Sequence, residues 1–250
     1  MSYRFDDKVV LITGAASGIG RATAQKLASL GATLAISDIN QPNLVETNKL
    51  CGGKHAISLV DVGSPTGVNQ WVEDTIEQYG AIHHVFNCAG VNPTSIPLVE
   101  TTDEYYDKLM NTNLKGMFNV TRACIPHLKD GASFVNVSSI SGLAPSAGNS
   151  IYCATKYGVI GFSKSMALEL GPKGIRVNIV APGYVNTPTN ASVVRGNEAM
   201  ERSAKTVSLG RMADPSEIAD VVAFLFSNEA RYMNGSVVEI EGGLPRPGSY

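Results

Sequence analysis

The chain has 250 residues, 44% hydrophobic and 17% charged, which is too long for a disulfide-stapled miniprotein and short for two full domains. Twenty Lys and Arg against 22 Asp and Glu leave a net charge of −2, so there is no basic footprint for nucleic acid or an anionic membrane surface. Cys51, Cys88, Cys124 and Cys153 form no CxxC pair, and neither they nor His55, His83, His84 and His127 show metal-ligand spacing; reduced thiols of an intracellular protein are expected.

The opening MSYRFDDKVVLITGA lacks the basic region of a signal peptide, and no run reaches the roughly 18 apolar residues of a membrane span. A cytoplasmic location is therefore expected. From there on, short apolar runs alternate with longer helical patterns. Strand-like runs are Lys8–Thr13, Ala32–Ser37, His55–Val60, Ile82–Cys88, Ala132–Val137, Ile175–Ala181 and Ser236–Ile240. Helical periodicity marks Gly18–Leu30, Thr66–Tyr79, Asp103–Leu128, Ser150–Leu170 and Pro215–Phe226. Runs apolar on both faces and joined by helices read as parallel strands covered on each side. The expected fold is one α/β domain over residues 1–250: a doubly wound, Rossmann-type, seven-stranded parallel sheet with helices on both faces. In that architecture ligands collect beyond the carboxyl ends of the strands.

The first strand runs into Thr13-Gly14-Ala15-Ala16-Ser17-Gly18-Ile19-Gly20 and then a helix. Glycines allow a tight turn and close approach to a ligand, and the free N–H groups of a helix start attract a diphosphate. Gly14, Ser17, Gly18, Ile19 and Gly20 are thus candidate dinucleotide contacts, spaced GxxxGxG instead of GxGxxG. Asp38 closes the second strand, 18 residues after Gly20. A carboxylate there accepts hydrogen bonds from ribose hydroxyls and repels a 2′-phosphate. With Ile39 beside it, no Lys or Arg adjacent and Ser at position 17, NAD is expected over NADP. Asp61 and Val62 follow the third strand, placed for an adenine edge and face. Asn87, Cys88, Ala89 and Gly90 end the fourth, small enough for close approach.

Tyr152 and Lys156 lie four apart in a helical segment, on one face and about 6 Å apart along the axis. A phenol with a pKa of about 10 is a poor base, but a neighbouring ammonium favours phenolate. Such a tyrosine exchanges a proton with an alcohol or ketone as hydride moves. Ser138 and Ser139 end the fifth strand, where either hydroxyl could bond the substrate oxygen. Asn113 is an amide inside a long helix, which calls for a structural or proton-relay task. Pro182-Gly183 ends the sixth strand and Tyr184-Val185-Asn186-Thr187 follows.

Together these motifs resemble the short-chain dehydrogenase/reductase family in its single-domain form of about 250 residues, along essentially the whole chain. TGxxxGxG falls on Thr13–Gly20, and NNAG on Asn87–Gly90 with Cys88 for the second Asn. The resemblance implies a catalytic tetrad of Asn113, Ser139, Tyr152 and Lys156, with Ser139 chosen over Ser138 by its 13-residue spacing to Tyr152. It implies Tyr152 as acid/base, Ser139 holding the substrate oxygen, Lys156 on the nicotinamide ribose, and Asn113 holding a water linked to Lys156. Pro182, Gly183, Val185 and Thr187 would border the nicotinamide, with Thr187 on its carboxamide. Gly242-Gly243 matches the end of the last strand, with Glu241 where Asp is usual.

The family's variable substrate loop corresponds to about 188–210, with Val91–Leu98 and Ser141–Ser150 forming the other walls. No Lys or Arg cluster marks an anionic substrate, and the walls read as small and apolar. A neutral secondary alcohol or ketone is the expected substrate, with epimerisation or a non-redox biosynthetic step on the same fold and cofactor as the alternative. The two long helices carry surplus apolar surface, and the resemblance implies a homotetramer or dimer.

Overall fold

The computed structural model describes residues 3–92, 94–187, 201–202 and 204–245. Its strands are β1 (Val9–Thr13), β2 (Thr33–Asp38), β3 (Ala56–Leu59), β4 (His84–Asn87), β5 (Ser133–Val137), β6 (Arg176–Pro182) and β7 (Val237–Ile240). They form one parallel sheet in the order β3-β2-β1-β4-β5-β6-β7. All seven carboxyl ends therefore point to one edge. The order reverses between β1 and β4, which opens the crevice where ligands bind in such sheets.

Alternation along the strands builds two cores. Val10 and Ile12 of β1, Leu34 and Ile36 of β2 and Phe86 of β4 face helices α1 (Gly18–Ser29) and, late in the chain, α7 (Pro215–Phe226). Leu11, Ala35, Val85 and Phe134 face the other way, against Val68, Trp71, Val120 and Leu170. Those last four come from α3 (Pro65–Tyr79), α5 (Gly116–Cys124) and α6 (Ser150–Leu170). Residues two apart share a face of the pleat, so VVLIT supplies both cores at once.

Three elements differ from the periodic reading. β3 is covered on one side only: Ile57 and Leu59 are exposed, because it is the edge strand. Helix α2 (Gln41–Leu50) was not marked by periodicity, since only Leu44 and Thr47 are buried; the Asn40 side chain caps it by accepting from Asn43 N. The expected helix Asp103–Leu128 is not uniform. It comprises α4 (Asp103–Met110), a π-turn over Asn111–Lys115, α5, and a 3-10 turn over Ile125–His127 that holds Pro126, whose ring cannot sit in a helix interior.

Candidate active site

The glycine-rich turn is held from three sides. Gly14 and Gly18 adopt φ of +68° and +51°, and a Cβ on Gly14 would stand 2.8 Å from Ala89 Cα. Thr13 Oγ1 accepts from Cys88 N at 3.1 Å and Ala89 N at 3.0 Å, joining the ends of β1 and β4. Asp38 Oδ2 accepts from Ala16 N at 3.0 Å, so this carboxylate shapes the turn as well as facing it. From behind, Arg21 donates to Ala16 O at 2.6 Å and the Thr47 hydroxyl donates to Ala15 O at 2.9 Å. Ser17 is the N-cap of α1, but its side chain makes no capping bond. Asp61 at the end of the third strand region accepts from Gly63 N at 2.8 Å.

At the other end, Tyr152 and Lys156 lie one turn apart on α6, 8% and 5% exposed. Lys156 Nζ donates to Val137 O at 3.0 Å and sits 5.6 Å from the Tyr152 ring centroid. Burial pushes the Tyr152 phenol up to about 12, against the downward pull of the Ser139 hydroxyl. Burial draws the Lys156 ammonium down to about 8. The two serines ending β5 have different tasks. Ser138 Oγ donates to Lys156 O at 2.9 Å, whereas Ser139 Oγ accepts from Ser141 N at 3.1 Å and keeps its proton to give.

Asn113 is buried in the π-turn, where the widened helix lets its amide reach sideways. Its Oδ1 accepts from Val91 N at 2.7 Å and its Nδ2 donates to Val91 O at 3.0 Å. This pair of bonds pins the segment after β4. A Cβ on Gly90 would be 3.3 Å from Asn113 Oδ1 and 3.7 Å from Lys156 Nζ, so glycine lets the three come together.

A cleft of about 930 Å³ runs from Asp38 and Ile39 past the glycine-rich turn to Ser139 and Tyr152. Gly14, Ser17, Gly18, Ile19, Gly20, Asp61, Val62, Ala89, Gly90, Lys156, Pro182, Gly183, Val185 and Thr187 line it as well. Asn87 and Asn113 do not. Asn87 closes β4 as expected, but its side chain turns into the sheet: its Nδ2 donates to Asn136 Oδ1 at 2.8 Å and Thr121 Oγ1 at 3.3 Å, and Asn136 Nδ2 donates on to Ser163 Oγ at 2.8 Å. It ties strands together beneath the cleft.

The walls also differ from the small, apolar reading: Asn92, Ser95, Ser141, Ser146 and Asn149 stand among Val91, Ile140, Ala144 and Pro145. Motif reading missed Lys108, Thr112, Tyr184 and Glu241 as lining residues. Lys108 and Thr112 are four apart, so helical spacing would have put them on one face. Of the loop 188–210, residues 188–200, with Arg195, lie outside the described residues. Among the described residues no three His, Cys, Asp or Glu side chains gather as a metal site.

Fold and site define a Rossmann-type oxidoreductase. Residues 14–245 match the family model described as enoyl-(acyl carrier protein) reductase. The chain is 40% identical over 246 residues to 3-oxoacyl-[acyl-carrier-protein] reductase of Thermotoga maritima, covering 96% of this chain and 99% of that protein. It is 36% identical over 247 residues to cyclohexanol dehydrogenase of an Acinetobacter species, covering 97% and 96%. The crystal structure of levodione reductase superposes with a TM-score of 0.93 at 34% identity, over 96% of this chain and 98% of that one. The protein belongs to the short-chain dehydrogenase/reductase family.

Proposed function

We propose that the protein interconverts a neutral secondary alcohol and its ketone with NAD(H), using Tyr152 as acid/base. The observation that carries this reading is the stack of Ser139, Tyr152 and Lys156 in the same cleft as the glycine-rich turn. The residues present fit a dinucleotide. Gly14 and Gly18 leave room that a Cβ would fill, the latter against Thr187 Cγ2 at 3.0 Å, and Ser17 keeps its hydroxyl off the helix it starts. Gly14 to Gly20 would hold the diphosphate, Asp38 the adenosine ribose, and Lys156 with Thr187 the nicotinamide end. Bound there, the nicotinamide supplies the hydride acceptor or donor.

The chain's own side chains do the rest. The Ser139 hydroxyl orients the substrate oxygen, and Tyr152 takes its proton in oxidation or returns it in reduction. Lys156, held by Val137 O, brings positive charge beneath the phenol and favours phenolate. Asn113 serves by fixing Val91 and the wall beside Gly90. Charge supports NAD over NADP: among the described residues the cations lining the cleft are Lys108 and Lys156, while its adenosine end carries the Asp38 carboxylate beside Ile39. The test is a screen of secondary alcohols read at the NADH absorbance. Conversion of a substrate without net NADH would favour epimerisation or a non-redox step instead.

We also assign the protein a homo-oligomeric state. α5 and α6 present Phe118, Tyr157 and Leu168 outward at 38%, 44% and 81% exposure, with Phe118 edge-on to Phe162. Light scattering at the monomer mass would refute this. A cytoplasmic location accords with four free thiols and with the finding that no helix among the described residues is long and apolar enough to cross a membrane.

A further inference from the structure

The glycine-rich turn and Asp38 are joined behind the cleft by a closed ring of hydrogen bonds. Ala16 N donates to Asp38 Oδ2 at 3.0 Å, and Asn40 N donates to Asp38 Oδ1 at 3.0 Å. The Asn40 side chain accepts from Asn43 N at 3.2 Å, and Asn43 O accepts from the Arg21 guanidinium at 3.1 Å. Arg21 closes the ring on Ala16 O at 2.6 Å. Its Nε donates to Thr47 Oγ1 at 2.9 Å, and that hydroxyl donates on to Ala15 O at 2.9 Å. Arg21 comes from α1, and Asn43 and Thr47 from α2, so one side chain ties the turn to both flanking helices.

Neither Arg21 nor Thr47 lines the cleft, and Thr47 is wholly buried. Their bonds nevertheless set what the cleft presents. In a trans peptide the C=O and the next N–H point in opposite directions. Holding Ala15 O from behind therefore turns the Ala16 N–H onto Asp38. Holding Ala16 O sends the Ser17 N–H away from Arg21, and Ser17 lines the cleft. With each Asp38 oxygen accepting from a backbone N–H, the plane of the carboxylate is fixed, and each oxygen keeps capacity to accept from a ribose hydroxyl. A guanidinium suits this task because its planar fork meets two carbonyls and a hydroxyl at once, which a compact ammonium does not.

We propose that Arg21 and Thr47 are positioning residues for the adenosine half of the dinucleotide. They set its affinity and, through Asp38, the choice between a ribose 2′-hydroxyl and a 2′-phosphate. The proposal rests on reading Gly14 to Gly20 and Asp38 as the seat of the dinucleotide. Neither residue touches the cofactor or the reacting atoms.

The test is calorimetric titration of the whole protein with NADH and with ADP-ribose, which lacks the nicotinamide, together with displacement of NADH by NADPH. Arg21→Met and Thr47→Val should each weaken NADH and ADP-ribose by the same factor, about tenfold or more. Each should also narrow the preference for NADH over NADPH, by about threefold or more. The double variant should lose little more than either single one, because both changes open the same network. Thr47→Ser, which keeps the hydroxyl, should restore wild-type binding. Melting temperatures without cofactor check that each variant is folded, and the two Thr47 variants carry the test if Arg21→Met is not. NADH affinity within about twofold of wild type, losses that add, equal losses for NADH and NADPH, or Thr47→Ser no better than Thr47→Val overturns the proposal. A wild-type protein that binds NADPH more tightly overturns the NAD reading alone. The positioning role then stands on the loss of ADP-ribose affinity and its rescue by Thr47→Ser.

Discussion

The Ser138 hydroxyl donates to the carbonyl oxygen of Lys156 at 2.9 Å, binding the end of β5 to the helix that carries the acid/base pair. Both serines line the cleft, but the Ser139 oxygen accepts from Ser141 N at 3.1 Å and leaves its proton free to give. The Ser138 hydroxyl is spent on that backbone carbonyl, which makes its task structural. Ser138→Ala should therefore lower stability by about 1 kcal/mol with modest effect on turnover. Ser139→Ala should cost roughly 10²-fold in kcat, and Tyr152→Phe about 10³-fold or more, with NADH binding retained in both. Turnover unaffected by Tyr152→Phe would remove the mechanism.

Asp38 carries the cofactor preference. NAD⁺ should raise the melting temperature more than NADP⁺ at equal concentration. Asp38→Ala removes both the ribose acceptor and the bond from Ala16 N, so the KM for NAD⁺ should rise about tenfold or more while that for NADP⁺ falls. A wild-type protein stabilised more by NADP⁺ would sink the charge argument.

The pH dependence follows from the Tyr152 phenol, which burial pushes up to about 12. Reduction needs it protonated and oxidation needs it deprotonated. Alcohol oxidation should accordingly rise with pH, approaching tenfold per unit on its acid limb, while ketone reduction falls over the same range. Lys156→Met withdraws the positive charge and should move the oxidation limb to higher pH. The apparent values will belong to the Tyr152–Lys156 pair. An oxidation rate that is flat between pH 6 and about 9 would count against Tyr152 as the titrating group.

Lys156 also makes a stability prediction. Its ammonium is drawn from 10.5 in the unfolded chain to about 8 by burial, so the folded protein bears a charge it would shed. The penalty, on the order of 3 kcal/mol at most, is complete below pH 8 and decays to nothing as pH climbs through 10.5. Lys156→Met should therefore melt higher than wild type at pH 7 without cofactor, and lose most of that advantage by pH 10. Thermal melts at the two pH values decide it.

Much of this was legible in the residue order. Each strand lay within two residues of its expected bounds, because a buried parallel sheet demands continuous β-branched and apolar runs. The edge strand was harder, since Ile57 and Leu59 read as core yet lie exposed. Helix α2 left little trace, as its identity rests on the Asn40 cap more than on an apolar face. Of the candidate site, spacing put Tyr152 and Lys156 on one face of α6, and the family resemblance singled out Ser139 and Thr187; all four line the cleft. Asn87 ends β4 as read, but its side chain turns into the sheet, since a motif gives position along the chain and not side-chain direction. The polar wall of Ser95, Ser146 and Asn149 was invisible for a different reason: it forms only where two loops meet through Ile96 and Gly148.

The π-turn over Asn111–Lys115 makes length, more than chemistry, the constrained quantity in that stretch of chain. Each residue of a helix advances the next by about 100°, so the widened turn sets the rotation of everything after it. Excising Thr112 would close the wide turn into a regular one and take Asn113 out of the geometry that lets its amide reach Val91. Point changes at exposed positions there can be absorbed locally. A one-residue deletion cannot, because it would release Asn113 from Val91 and with it the segment after β4.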